Sequence, residues 1–181
     1  MAILSTAGEA LARLDDLANT LDNPRHRAML QAFRRHWHGE VTGDLDAAMA
    51  ELPDNSHFAV LGAVASGQPF EVNTAQAHRA IYQMMLDLKL NPGGAFSSER
   101  FAFADWGLVM EAVYSNVVYG RMLENVGKYE PDHLFLFHLR MTMVCPFSAT
   151  GQMLGKRDYL AAPFSIEPAD RSTIERLTAL V

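Results

Sequence analysis

The chain has a single cysteine in 181 residues, Cys145, so no internal disulfide can form and nothing in the sequence demands an oxidising compartment. It has no run of Lys or Arg longer than a pair, and its 15 basic residues are outnumbered by 21 acidic ones, for a net charge of -6. A surface of that sign repels phosphate backbones and anionic headgroups, which argues against nucleic acid or a membrane as partner. No window approaches the roughly 18 uninterrupted apolar residues of a membrane span. The opening "MAILSTAGEALARL" lacks both the basic start and the apolar stretch of a secretory leader, and the cytoplasm is the expected location. The sequence has no H-E-x-x-H, no paired C-x-x-C, no glycine-rich phosphate loop and no local signature of a Ser/His/Asp set. His36 and His38 lie two apart on a predicted helix and point to different sides of it. Neither a metal nor a cofactor is expected.

What is present is a globular composition, 49% apolar and 20% charged, in a chain long enough for one good core. Thr6 and Glu9 have capping-box spacing ahead of Leu11, Leu14, Ala18 and Leu21, which predicts a first helix ending near Asp22. Asn23 caps a second helix with Pro24 at its first position, and Met29, Phe33, Trp37 and Val41 form one apolar stripe along it until Gly43. Asp44 caps a short third helix with Leu45, Ala48, Met49 and Leu52 inward. The period then changes. "HFAVLGAV" and "PFEV" read as strands around a Ser66-Gly67 turn. Thr74 caps a fourth helix to about Leu88, with Ala77, Ile81, Met84, Met85 and Leu88 as its expected buried stripe, and "NPGG" breaks it. "RFAFA", "LVMEAVYSNVVY", "HLFLFHLRMTMVCPF" and "MLGKRDYLA" follow as strands joined by turns, and a last short helix follows Pro168 with Ile174 and Leu177 inward. This is an α+β layout with an antiparallel sheet. Two strands of about twelve residues exceed the usual five or six, and strands that long bend, so a curved sheet wrapped on the helices should enclose a pocket.

Several polar residues sit inside the apolar strands. In "LFLFHLRMTMV", Phe135, Phe137, Leu139, Met141 and Met143 share one face, while Leu136, His138, Arg140 and Thr142 share the other. The second set is either a solvated outer face or a cavity floor. Glu111 stands among valines mid-strand, where it pairs with a cation such as Arg140 or a histidine, has its pKa raised by desolvation, as suits a general base, or faces solvent. His57 opens the first strand as either a satisfied edge histidine or a titratable pocket residue. For His36, Trp37, His78 and Tyr82, a core or surface place competes with a pocket role.

The element order and several segments resemble the nuclear transport factor 2-like superfamily, the cone fold of ketosteroid isomerases and SnoaL-like polyketide cyclases. Trp37 before "GDLDAAMAEL", the strand "HFAVLG", the helix "AHRAIYQMM", the strand "VMEAVYSNVVYG" and the closing "LRMTMVCPFSATGQMLGKRDY" carry the likeness over about residues 25 to 160. Glu111, Arg140 and Tyr159 match a glutamate, an arginine and a final tyrosine that recur in a bacterial SnoaL-like or ketosteroid-isomerase-like subgroup. The chain departs from the pattern at Ala161, where many members carry an acid.

The resemblance implies a single domain over 1–181, with residues 1–22 as an N-terminal helix and 165–181 as a tail or short helix. It also implies a cone-shaped curved sheet on N-terminal helices around one pocket. The implied activity is cofactor-free proton transfer, as isomerisation, dehydration or cyclisation, on an apolar steroid-, terpenoid- or polyketide-like molecule. A non-catalytic binding or assembly domain is the alternative. Implied catalytic residues are Glu111, His57, His138 and Arg140, with Phe33, Trp37, Tyr82, Met85, Tyr114 and Tyr159 against the substrate. A homodimer is expected, because a Phe135, Phe137, Met141 and Met143 face left outside the pocket would be too large an apolar patch for a monomer, and because the resemblance implies dimerisation through the sheet's outer face.

Overall fold

A computed structural model describes residues 5–62 and 70–180; the Ser66-Gly67 turn lies outside them. The N-terminal signals work as the sequence indicates. Thr6 and Glu9 close a capping box on α1 (Ala7–Thr20). The Asn23 side chain accepts from the first turn of α2 (Pro24–Thr42), which ends at Gly43 with φ 73°. Asp44 caps α3 (Leu45–Met49). Met29, Phe33, Trp37 and Val41 are all buried.

Strand β1 (His57–Gly62) and β2 (Phe70–Val72) precede α4 (Ala75–Asp87), which is capped by Thr74. The buried stripe of α4 is rotated from the expected one: His78 and Tyr82 are buried, whereas Met84 is 49% exposed. The helix turns its aromatic edge inward because Phe58 stacks on the His78 ring, 4.1 Å between centroids.

β3 (Ala95–Ala104), β4 (Gly107–Tyr119), β5 (Leu134–Pro146) and β6 (Gly155–Leu160) follow, then β7 (Ser165–Ala169) and α5 (Arg171–Leu177). Along the sheet the order is β2-β1-β6-β5-β4-β3, with β7 paired to β5. The antiparallel expectation holds for every pair except β1 with β6, which run parallel with His57 beside Gly155. β7 was not legible, because Pro168 reads as a helix start although an edge strand tolerates it. The long β5 serves two partners in succession, β7 against Leu134–His138 and β6 against Met141–Val144.

Period two then assigns the faces. Leu108, Met110, Ala112 and Val118 of β4 and Phe137, Leu139, Met141 and Met143 of β5 are buried with Phe33, Trp37 and α1 residues in one core. The Phe/Met face of β5 is thus the inside of a curled half-barrel, closed by the N-terminal helices, and the apolar patch that motivated a dimer is covered within the chain. No helix among the described residues is long and apolar enough to cross a membrane.

Candidate functional site

Inside the half-barrel, α2 and β6 bring charged side chains, and α4 a tyrosine, to a cavity of about 180 Å³. It is lined on its polar side by Glu40, Lys156, Asp158, Tyr82 and Tyr114, and elsewhere by residues such as Phe58, Phe96, Met85 and Met143. Glu40 reaches it because His36 and Glu40 share a helix face, one turn apart, with the stripe of Met29, Phe33 and Trp37. Lys156 and Asp158 reach it because alternate residues of β6 point inward, opposite Phe58 and Val60 of β1.

Glu40 is the hub. Its Oε1 accepts from Lys156 Nζ at 2.5 Å and from the Tyr82 hydroxyl, and lies 2.7 Å from His36 Nε2. The other ring nitrogen of His36 meets the Ala48 carbonyl at 2.7 Å; a carbonyl and a carboxylate both only accept, so Nδ1 and Nε2 each carry a proton and the ring is a cation in this arrangement. Burial alone would raise the Glu40 carboxyl, but the charges of Lys156 and His36 overcome it and hold it well below the usual carboxylate range. Burial likewise pushes the Lys156 ammonium down, and Glu40 and Asp158 more than restore it. The His78 ring, buried and facing Lys156, is held neutral.

Asp158 is the exception in this network. Its carboxyl is buried, Oδ1 has no hydrogen-bond partner, and the Lys156 charge is already engaged by Glu40. Burial raises its pKa from 3.8 to about 6, with Lys156 opposing and Glu40 adding to the rise. Two carboxylates sharing one ammonium cannot both be as well stabilised as one.

Tyr114 stands on the same cavity with an unspent proton. Its oxygen accepts from Asn116 Nδ2 at 2.8 Å, and that amide also donates to the Asn91 carbonyl, which fixes its orientation. The "NPGG" turn builds this corner: Asn91 Oδ1 accepts from the backbone of Gly93 and Gly94. Gly94 has φ 54°, and a Cβ there would lie 2.7 Å from the Tyr114 ring, so the tyrosine's place depends on that glycine.

All four expected catalytic residues fall on the other side of the sheet. Glu111 and Arg140 are exposed on its outer face, with Tyr159 45% exposed beside them. His57 points outward next to Glu71, 3.6 Å away, and it is Phe58 that enters the pocket. His138 is buried, but on the outer side, hydrogen-bonded to Ser115 at 2.6 Å and stacked by Phe164. In each case the reason is strand parity: inner positions on these strands are one residue away. Tyr82, Met85 and Tyr114 do line the cavity. Phe33 and Trp37 belong to the core beneath it, Trp37 donating to the Gly93 carbonyl at 2.9 Å. The acid lacking at Ala161 would have faced the outer groove, whereas Asp158 faces in. Glu111→Gln should therefore change stability only within the range of ordinary surface changes, about 0.5 kcal/mol or less. A loss of several kcal/mol in a thermal melt would place that carboxylate in a buried pair instead.

His36, Glu40 and His78 are close enough that their ligand atoms lie within 4.8 Å of one another, an arrangement that sequence spacing alone did not suggest. The Lys156 ammonium already occupies the carboxylate they would share.

No protein-family model matches the chain, and no curated protein matches it by sequence. Among solved structures it is similar to a protein from Shewanella putrefaciens CN-32 described as a SnoaL-like polyketide cyclase, with TM-score 0.59, 11% identity, and coverage of 88% of this chain and 91% of that one. It is also similar to a ketosteroid isomerase-like protein from Erwinia carotovora atroseptica SCRI1043, with TM-score 0.53, 12% identity, and coverage of 79% and 98%. An NTF-2 like protein of unknown function from Burkholderia xenovorans LB400 matches with TM-score 0.51 at 16% identity, over 83% and 95%. The fold is the nuclear transport factor 2-like cone.

Proposed function

We propose that the cavity binds a small, mostly apolar carbonyl compound and catalyses proton transfer on it without a cofactor, with Asp158 as general base and Tyr114 as hydrogen-bond donor to the developing oxyanion. The observation that carries this reading is a buried, unpartnered carboxylate oxygen sharing an apolar cavity with a phenol whose proton is unspent. A base is most effective when its pKa lies near the working pH, and about 6 meets that need where an ordinary aspartate would not.

In the step, the Asp158 carboxylate takes a proton from the carbon next to the carbonyl. The C–H electron pair moves into the enolate, whose oxygen is met by the Tyr114 O–H. Return of the proton to a different carbon gives isomerisation, expulsion of a β-hydroxyl as water gives dehydration, and attack of the enolate carbon on a second carbonyl gives cyclisation. Lys156 and Glu40 set the charge around the base, and Glu40 takes the Tyr82 hydroxyl's hydrogen bond. The size of the cavity favours a ring-sized reacting portion, since about 150 Å³ accommodates benzene, with the rest of a polyketide- or terpenoid-like molecule extending outward. The polyketide cyclase and isomerase names among the similar folds accord with this chemistry, and a purely binding role shares the apolar lining but does not need a carboxylate poised near the working pH.

The test is wash-in of deuterium from heavy water into cyclohex-3-en-1-one, followed by mass spectrometry. Wild-type protein should accelerate exchange at the carbon next to the carbonyl, and Asp158→Asn should remove the acceleration. Tyr114→Phe, which keeps the ring and deletes the donor, should lower it by about 100-fold, as loss of one oxyanion donor does. Probe binding without exchange in the wild type would assign the cavity to binding alone.

A further inference from the structure

The outer face of the sheet is covered unevenly. α5 lays Leu177 and Ile174 over Ala95, Val117 and Leu136, but beyond Ser115 and His138 no helix among the described residues packs on the face. There the strand register lines up one polar row across four strands: Arg100 opposite Glu111, Glu111 opposite Thr142, and Thr142 opposite Tyr159. Arg140 stands two residues from Thr142 on the same face. With Ser98, which takes a left-handed φ of 58° at the irregularity between Ser97 and Arg100, these residues line a groove of about 270 Å³. None of the Arg100, Arg140 and Glu111 side chains makes a hydrogen bond or ion pair within the described residues.

We propose that this groove is a second ligand site, separate from the inner cavity, for a small amino-carboxylate. A guanidinium is a planar fork suited to a carboxylate, and two unpaired ones flank the row. A simple anion would meet the Glu111 carboxylate at the centre of the row, directly opposite Arg100 at a side-chain spacing of about 5 Å. A ligand that carries an ammonium next to its carboxylate turns that repulsion into a third contact, and the Thr142 and Tyr159 hydroxyls can serve either end. A second copy of the chain is disfavoured as the occupant because the centres of stable protein interfaces are depleted of charge, whereas the charge here is central.

Isothermal titration with phenylalanine, 3-phenylpropionate, phenethylamine and inorganic phosphate tests the proposal on the full chain. Phenylalanine should bind at least about 10-fold more tightly than either single-charge analogue, and Arg140→Gln should weaken it by about 10-fold or more, the worth of one charge-assisted contact. Glu111→Gln should erase the preference for phenylalanine over phenylpropionate. Circular dichroism of both variants, whose changes are on the surface, should match the wild type. Four results would overturn the proposal: no binding of any probe; phosphate binding as tightly as phenylalanine; phenylalanine binding lost in Asp158→Asn, which would put the probe in the inner cavity; or a sedimenting dimer that Arg140→Gln dissociates, which would make a second copy the occupant.

Discussion

Glutamine at position 40 is expected to cost about 3 kcal/mol or more, the range found when one partner of a buried ion pair is removed. For a chain of this size that is a fall of roughly 6–12 °C in melting temperature. Glu40→Gln is nearly isosteric, so no cavity forms and the loss reports charge alone. It leaves the Lys156 ammonium, 4% exposed, without the carboxylate that lies 2.5 Å away, and it deprives the Tyr82 hydroxyl of an ionised acceptor. The sign with pH follows from direction. Glu40 in the folded protein sits far below its ordinary value, so its contribution is fully present above the unfolded carboxyl's pKa of 4.5 and is lost as pH falls through the folded value. The difference in stability between wild type and variant should therefore be largest at neutral pH and narrow in acid. The variant has a second consequence: Asp158 becomes the only carboxylate facing Lys156, and its pKa should fall back toward 3.8, readable by carbon-13 NMR of the aspartate carboxyl. Equal melting temperatures at neutral pH would remove Glu40 from the role of hub.

Asp158→Asn is expected to act in the opposite direction on stability while abolishing turnover. Loss of a general base typically costs 10²–10⁴-fold in rate, and the wild-type rate should rise with pH through about 6 as Asp158 ionises. The folded Asp158 holds a proton that the unfolded chain gives up near 3.8, so the native state loses stability as pH climbs from about 4 to about 6, and the deficit is constant above that. The gap between those two values corresponds to at most about 3 kcal/mol. Asparagine carries no charge at any pH, so the variant should be more stable than the wild type at neutral pH and should lose this downward slope. A variant that is both less stable and fully active would make Asp158 a structural partner of Lys156.

The fold was legible because its signals are local. Thr6, Asn23, Asp44 and Thr74 announce their helices within three residues, and the stripe from Met29 to Val41 needs only one helix to be seen. The site was not legible, because strand alternation separates two faces without saying which is inside. In β5 the answer is that the Phe/Met face takes the helices, which leaves Arg140 and Thr142 outside, and Glu111 follows by register. His57 drew attention by standing at the start of an apolar run, yet one position decides everything on a strand, and Phe58 has the inner one. Glu40, Lys156 and Asp158 had only partial signals. Glu40 could be placed on the buried side of α2 from its spacing to Phe33 and Trp37, but "GKRDYL" presents polar residues on both faces. Nothing local tells a helical glutamate that its counter-ion lies on the last strand of the cavity.

That separation bears on how the protein comes into being. Glu40 and Lys156 are 116 residues apart, and β6 is held on one side by the parallel strand β1, itself about a hundred residues earlier. Contacts across such loops repay their closure entropy only after most of the chain is ordered. The helices and the β3-β4-β5 ribbon can form from near neighbours, but the polar corner of the cavity exists only once β6 slots between β1 and β5. Until then Glu40 and Lys156 remain hydrated, and the desolvation they undergo belongs to the closing step of assembly. Any truncated or nascent chain that ends before residue 155 would therefore hold most of the scaffold's sequence but neither Asp158 nor Lys156.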